Sequence, residues 1–191
     1  MEVIGQGGEL LSEEAPFVGR ALVRRRAEFA AGRCAARRAL RKLGGPCGKI
    51  PRGDLGEPVW PSGYDGSISH DGDFAAAIAY SRETAVTALS IDLIDTSDLA
   101  RYWEVLHLIR ASSESRNLAY DLRSAALLFG AKEAAIKLIS PRLKCLVGFE
   151  ELVASRVDGG FEVIYIHNCI CIWIHTFEVD KVIVSLGRCD L

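Results

Sequence analysis

The order of local periodicities along this 191-residue chain predicts an α+β fold. A long helical repeat comes early, a second spans residues 124–139, and three segments rich in β-branched residues close the chain. Helix, loop, strands, helices and strands thus follow one another without the strict strand–helix alternation of a parallel sheet. The same order repeats in outline about residue 95, dividing the chain into an N-terminal half, 1–95, and a C-terminal half, 96–191.

From Ala21 to Leu43 the apolar residues Leu22, Phe29, Ala36, Leu40 and Leu43 recur at helical spacing, and Gly44-Gly45 supplies a stop. Pro46 to Asp65 is punctuated by glycine and proline, which reads as an ordered loop. Ser67–His70 and Phe74–Tyr80 are short buried segments, and Ala85–Leu93 is a strand. Between residues 97 and 140 lies a second helical region. It ends in Ser124–Ile139, where Leu128, Ala131, Ala135 and Leu138 make an apolar stripe and Pro141 enforces the end. Phe161–His167, Cys169–Glu178 and Lys181–Leu186 alternate or run apolar and are expected to form three antiparallel strands.

Composition excludes several classes. A chain of this length buries about 70% of its unfolded surface without needing staples. Its longest apolar runs are strand-sized, far short of the roughly 20 residues of a membrane span. No basic and apolar leader opens the sequence, so a cytoplasmic protein is expected. The six cysteines (34, 47, 145, 169, 171 and 189) contain no Cys-x-x-Cys pair and read as plain thiols. Net charge is -2, but Arg20–Arg52 carries eleven Lys+Arg against the single acid Glu28. A block of that kind is either a solvated face or a site for a polyanion. Its arginines can converge: Arg26 and Arg33, seven apart, nearly eclipse on a helix, and Arg25 lies within about 80° of Arg33.

Three clusters could carry chemistry. In Gly66-Ser67-Ile68-Ser69-His70, Ser69 and His70 can donate to phosphate, or His70 is a satisfied structural histidine. Asp92, between Ile91 and Leu93 at the end of an apolar strand, must be paired, capped or ligating. In Phe129–Lys137, Glu133 and Lys137 stand one helical turn apart, as an active pair or an ordinary surface pair. Asp92 and Glu133, acids from different elements, suit Mg²⁺, which takes hard oxygens, keeps waters and draws its other ligands from phosphate.

Read in order, Arg25-Arg26-Ala27-Glu28-Phe29 with Gly32-Arg33-Cys34-Ala35, GEPVWPSGYDGSISH (56–70), SIDL (90–93) and FGAKEAAIK (129–137) resemble the 4'-phosphopantetheinyl transferases that activate siderophore and surfactin synthetases. The resemblance implies two pseudo-symmetric α+β halves with coenzyme A in the cleft between them. A serine of an apo acyl or peptidyl carrier protein would attack the β-phosphate and release 3',5'-ADP. It further implies that Arg25, Arg33, Arg52, Ser69 and His70 hold the coenzyme A phosphates and that Asp92 and Glu133 bind Mg²⁺. Lys132 and Lys137 would meet the pyrophosphate, with Glu133, Lys137 and Asp92 as the catalytic set. Such a protein is expected to be a monomer without membrane attachment. Residues 101–145, with eight Lys+Arg and four acids, suit the acidic surface of a carrier.

The sequence departs from the family pattern in three places. Ile94 stands where the usual Asp-x-Glu strand has Glu, Ser90 where Gly usually precedes Ile-Asp, and Gly130 where Ser or Cys is frequent. On strand geometry Ile94 shares the face of Asp92, so its side chain is expected beside the metal. The Ile94 departure motivates an alternative, a non-catalytic relative that keeps the coenzyme A cleft or the carrier surface. A third reading, a nucleic-acid binder using Arg20–Arg52, is weakened because aromatic residues are not interleaved with the arginines for stacking.

Overall fold

A computed structural model describes residues 2–3, 10–84, 87–115 and 118–190. The first long helix, α1 (Val23–Lys42), buries Phe29, Ala31, Gly32, Arg33, Ala35, Ala36 and Leu40. Its small residues let it lie close on the sheet beneath: a Cβ on Gly32 would come within 2.8 Å of Ile68 Cγ2. Leu22 and Leu43, the outer members of the expected stripe, are exposed instead, because they flank the helix rather than belong to it. The predicted stop is real: Gly44 takes φ 73°, a left-handed value favouring glycine.

Beneath α1, β2 (Tyr64–Asp71) and β3 (Phe74–Ser81) form a hairpin, and β1 (Glu2–Val3) adds to the far edge of β3, giving the order β1-β3-β2. A second, antiparallel sheet contains β4 (Thr87–Asp95), β5 (Leu152–Val157), β6 (Gly160–Tyr165), β7 (Ile170–Val179) and β8 (Val182–Asp190) in the order β4-β8-β7-β6-β5. The first two residues of the expected strand Ala85–Leu93 lie outside the described residues; the remainder forms β4. The short helices α2 (Ala100–Glu104) and α3 (Leu106–Ile109) precede α4 (Leu122–Leu143). Leu128, Ala131, Ala135 and Leu138 of α4 join Phe161, Val163, Ile172 and Ile174 in the main core. The architecture is α+β, with sheets of three and five strands. No helix among the described residues is long and apolar enough to cross a membrane.

Two expectations needed revision. Pro141 does not end α4, which continues to Leu143 and stops at Lys144 with φ 54°; a proline removes its own N–H but leaves its carbonyl able to accept from the next turn. The strand β5 went unread, because Leu152–Val157 carries Ser155 and Arg156 on a half-exposed edge and shows little apolar alternation.

The two sheets meet through side chains. Ser67 Oγ donates to Ile91 O (3.4 Å), Leu93 N donates to Ser69 Oγ (3.1 Å), and Asp95 N donates to Asp71 Oδ2 (2.6 Å). Each pair is 24 residues apart, so β2 and β4 run parallel in constant register, with alternate side chains of β2 standing where a neighbouring backbone would bond. This joint carries Ser69 and Asp92 to the same place.

Candidate active site

A cavity of about 550 Å³ opens at that joint. Strand β2 supplies Ser69, His70 and Asp71 to its wall, β4 supplies Asp92, α2 supplies Arg101 and Tyr102, and α4 supplies Glu133 and Lys137. A larger groove of about 770 Å³, between the 55–60 loop and the C-terminal end of α4, shares Ile68 and Lys137 with it.

At the centre, Lys137 Nζ lies 2.5 Å from Asp92 Oδ1 and 2.9 Å from Ser69 Oγ, and Ser69 Oγ donates to Asp92 Oδ1 at 2.8 Å. The other carboxylate oxygen, Asp92 Oδ2, is buried without a hydrogen-bond partner among the described residues. It lies beside the notch left by Gly130, where an added Cβ would be 3.6 Å from Asp92 Oδ2, 3.0 Å from Ser185 Oγ and 3.1 Å from Ile94 Cγ1. Burial, and next the charge of Asp92, raise the pKa of Glu133, while Lys137 opposes them. Glu133 and Asp92 therefore share one region of excess negative potential.

At the rim, Arg25 Nη1 donates to His70 Nε2 at 2.5 Å, which makes the ring neutral with Nε2 as acceptor. Glu28 Oε2 accepts from Arg25 at 3.4 Å and lies 3.7 Å from His70 Nδ1. Burial first, then Arg25 and Lys137, depress the His70 pKa, against Glu28 and Asp71. An unfolded imidazole, with pKa about 6.5, accordingly takes up its proton before folded His70 does, and the protein loses stability as pH falls below that value. Relative to His70→Gln, the wild type is expected to lose melting temperature between pH 7.5 and 5.5; parallel profiles would contradict the neutral ring.

Other expected site residues have different surroundings. Arg33 is buried, donates from Nε to Ile50 O at 2.8 Å and sits 4.0 Å over the Phe29 ring. Burial lowers its pKa to about 10, with Arg25, Arg37 and Arg52 contributing. Arg52 is exposed and folds over Gly56, whose φ of 92° turns the loop beneath it. Ser69, expected to meet phosphate, is 2% exposed at the cavity wall, and its hydroxyl donates to Asp92 while it accepts from Leu93 N and Lys137. Lys132, expected at the pyrophosphate, is turned to the core. Its ammonium is wholly buried, 2.8 Å from Glu114 Oε1, and donates to the carbonyls of Ile109, Phe149 and Leu152, away from the cavity.

Ile94 shares the side of Asp92, as its register predicts, but it is 1% exposed and belongs to the main core rather than the cavity wall. Ile94→Glu should accordingly destabilise the fold by roughly 3 kcal/mol or more instead of adding a ligand. Thermal unfolding tests this: an undiminished melting temperature would return residue 94 to the site.

Sequence reasoning missed Asp71, Arg101 and Tyr102. Asp71 accepts from Asp95 N, from Tyr102 OH at 2.7 Å and from Arg101 Nη2, tying α2 to β2 at the cavity edge. Asp71 was detectable, since it lies two residues after Ser69 on the same strand face. Nothing local marked Arg101.

The family model described as the 4'-phosphopantetheinyl transferase N-terminal domain matches residues 13–80, which contain α1, the glycine-rich loop and β2. The chain is 37% identical over 145 residues to the 4'-phosphopantetheinyl transferase PptT of Mycobacterium tuberculosis, a match covering 74% of this chain and 63% of PptT. It is 36% identical over 158 residues to the 4'-phosphopantetheinyl transferase Svp of Streptomyces mobaraensis, covering 79% and 63% respectively. With the 4'-phosphopantetheinyl transferase Npt of Nocardia iowensis the identity is 34% over 152 residues, covering 77% of this chain and 67% of Npt. The chain belongs to the 4'-phosphopantetheinyl transferase family. This 4'-phosphopantetheinyl transferase family member spans somewhat less than two thirds of the length of PptT and Svp. Of its cavity residues, Ser69 and His70 fall inside the matched N-terminal domain, and Asp92, Glu133 and Lys137 fall beyond it.

Proposed function

We propose that this protein transfers the 4'-phosphopantetheine group of coenzyme A to a serine of an apo acyl or peptidyl carrier protein, with Mg²⁺ as cofactor and 3',5'-ADP as the second product. The observation that carries this reading is the convergence of Asp92, Glu133 and Lys137 on one cavity, with Arg25 against His70 at its rim. We place the reaction in the cytoplasm and take the protein to act as a monomer.

The residues fit a hard divalent cation. Two carboxylates face Lys137, burial and then the charge of Asp92 push the Glu133 pKa up, and Asp92 Oδ2 has no hydrogen-bond partner among the described residues. Asp92 and Glu133 would hold Mg²⁺, which when bound supplies charge neutralisation at phosphate oxygens. The rest falls to the chain itself. Arg25 and His70 grip the 3'-phosphate through charge-assisted hydrogen bonds. Glu133, which α4 places at the cavity one helical turn before Lys137, accepts the serine proton. The serine oxygen then bonds to the β-phosphorus as the bond to the bridging oxygen breaks, and 3',5'-ADP departs. Lys137 offers its ammonium to the charge that develops on the phosphate oxygens.

Incubating several apo carrier proteins with coenzyme A, Mg²⁺ and this protein should add one phosphopantetheine to at least one carrier, read by intact mass. Unchanged carriers at every Mg²⁺ concentration would overturn the proposal. Placing Ile94 in the core leaves Asp92 without a second acid on its face of β4 and favours, as a second reading, a non-catalytic relative; coenzyme A bound with no product formed selects it. Coenzyme A should also bind at least about tenfold more tightly than its 3'-dephospho form in calorimetry. Equal affinities would remove Arg25 and His70 from the phosphate.

A further inference from the structure

Lys137 reaches Asp92 from the turn of α4 after Glu133, so the ammonium sits between the two elements that carry the acids. Its 2.5 Å contact is with Oδ1, the oxygen also held by Ser69, while Oδ2 is turned toward Gly130 and Ser185. The Asp92 side chain is 6% exposed and that of Lys137 28%, so the carboxylate is fixed and the lysine is the partner with room to move. Lys137 also lines both the 550 Å³ cavity and the 770 Å³ groove.

We propose that Lys137 is an internal counter-cation for Asp92: it competes with a divalent cation for Oδ1 in the free protein and is drawn off when a polyphosphate enters the cavity. The inference rests on the reading of the cavity as a coenzyme A and Mg²⁺ site and adds an order of binding to it. With Lys137 on Oδ1, a divalent cation entering alone has only the buried Oδ2 open to it and meets the repulsion of an ammonium on the same carboxylate; to take Oδ1 it must displace that ammonium. A pyrophosphate offers that ammonium a second anion, so substrate binding clears the cation position. Coenzyme A and the metal then bind cooperatively, beyond what direct phosphate ligation supplies, and by linkage the effect is reciprocal.

Mn²⁺ binding, measured by calorimetry and by the electron paramagnetic resonance signal of free Mn²⁺, tests this without any turnover. Lys137→Gln should bind Mn²⁺ alone at least about tenfold more tightly than the wild type, and that gain should shrink to about threefold or less at saturating coenzyme A. Lys137→Arg, which keeps a cation able to pair with Asp92, should behave like the wild type. Adding Asp92→Asn to Lys137→Gln should abolish the gain and so locate it at this carboxylate. An equal gain with and without coenzyme A would mean that Lys137 acts only through its long-range field and would overturn the proposal. So would no gain in a Lys137→Gln protein that melts as the wild type does. Transfer by the wild type, read by carrier mass, stands apart: its loss would overturn the enzymatic reading, and its presence with flat Mn²⁺ affinities would overturn only the counter-cation.

Discussion

Glu133→Gln should lower transfer by at least about a hundredfold while leaving the fold intact. The substitution keeps the shape of a half-buried side chain on α4 and removes both the charge that would hold Mg²⁺ and the base that would accept the serine proton. Because burial and Asp92 already disfavour a charged Glu133, the neutral amide should fold as well as the acid or slightly better at neutral pH. The pair of measurements is therefore a melting temperature at or above the wild-type value and a collapsed rate of carrier modification. A near-normal rate would reduce Glu133 to a neighbour of Lys137.

Lys132→Met should act in the opposite way, on stability rather than on the cavity. Lys132 and Glu114 are both fully buried at the side chain, and Glu114 also accepts from Ala111 N at 2.9 Å and from Ala154 N at 2.6 Å. Removing the lysine leaves a buried carboxylate without its cation, at a cost of about 3–5 kcal/mol. In a domain of this size that is a fall in melting temperature on the order of 10 °C. Lys132→Met with Glu114→Gln should recover part of the loss. Coenzyme A affinity of the folded variant should match the wild type; a large drop at unchanged stability would return Lys132 to the pyrophosphate.

The contrast between Lys132 and Lys137 marks how far the sequence could be read. Both belong to one helical motif, and the spacing Glu133–Lys137 puts those two on one face, where they line the cavity. Lys132 precedes Glu133 by one residue, about 100° around the helix, and that rotation carries it into the core. Its destination depended on three carbonyls and an acid from α3, the start of β5 and the segment before it, and the 111–115 turn, none of which any local pattern announces. Similarly, the alternation of β4 correctly placed Asp92 and Ile94 on one side. How far the cavity extends along that side is set by α4 packing at Gly130, a tertiary fact. The helices and most strands were legible because their periodicities are long, whereas β5 and the Arg101–Asp71 tie depend on partners distant in sequence.

The side-chain rungs between β2 and β4 have a consequence for solubility. Strand β4 is the terminal strand of the five-stranded sheet, and its outward amides at Leu93 and Asp95 would otherwise form an open edge able to template pairing with another chain. Ser69 and Asp71 cap those amides. The caps keep the two sheets apart while closing the edge to strangers. The Leu93 and Asp95 amides should therefore resist hydrogen exchange although no strand of the described residues pairs with them on that side. Shortening both caps to alanine should speed their exchange and increase self-association relative to the wild type, with neither sheet losing a backbone bond.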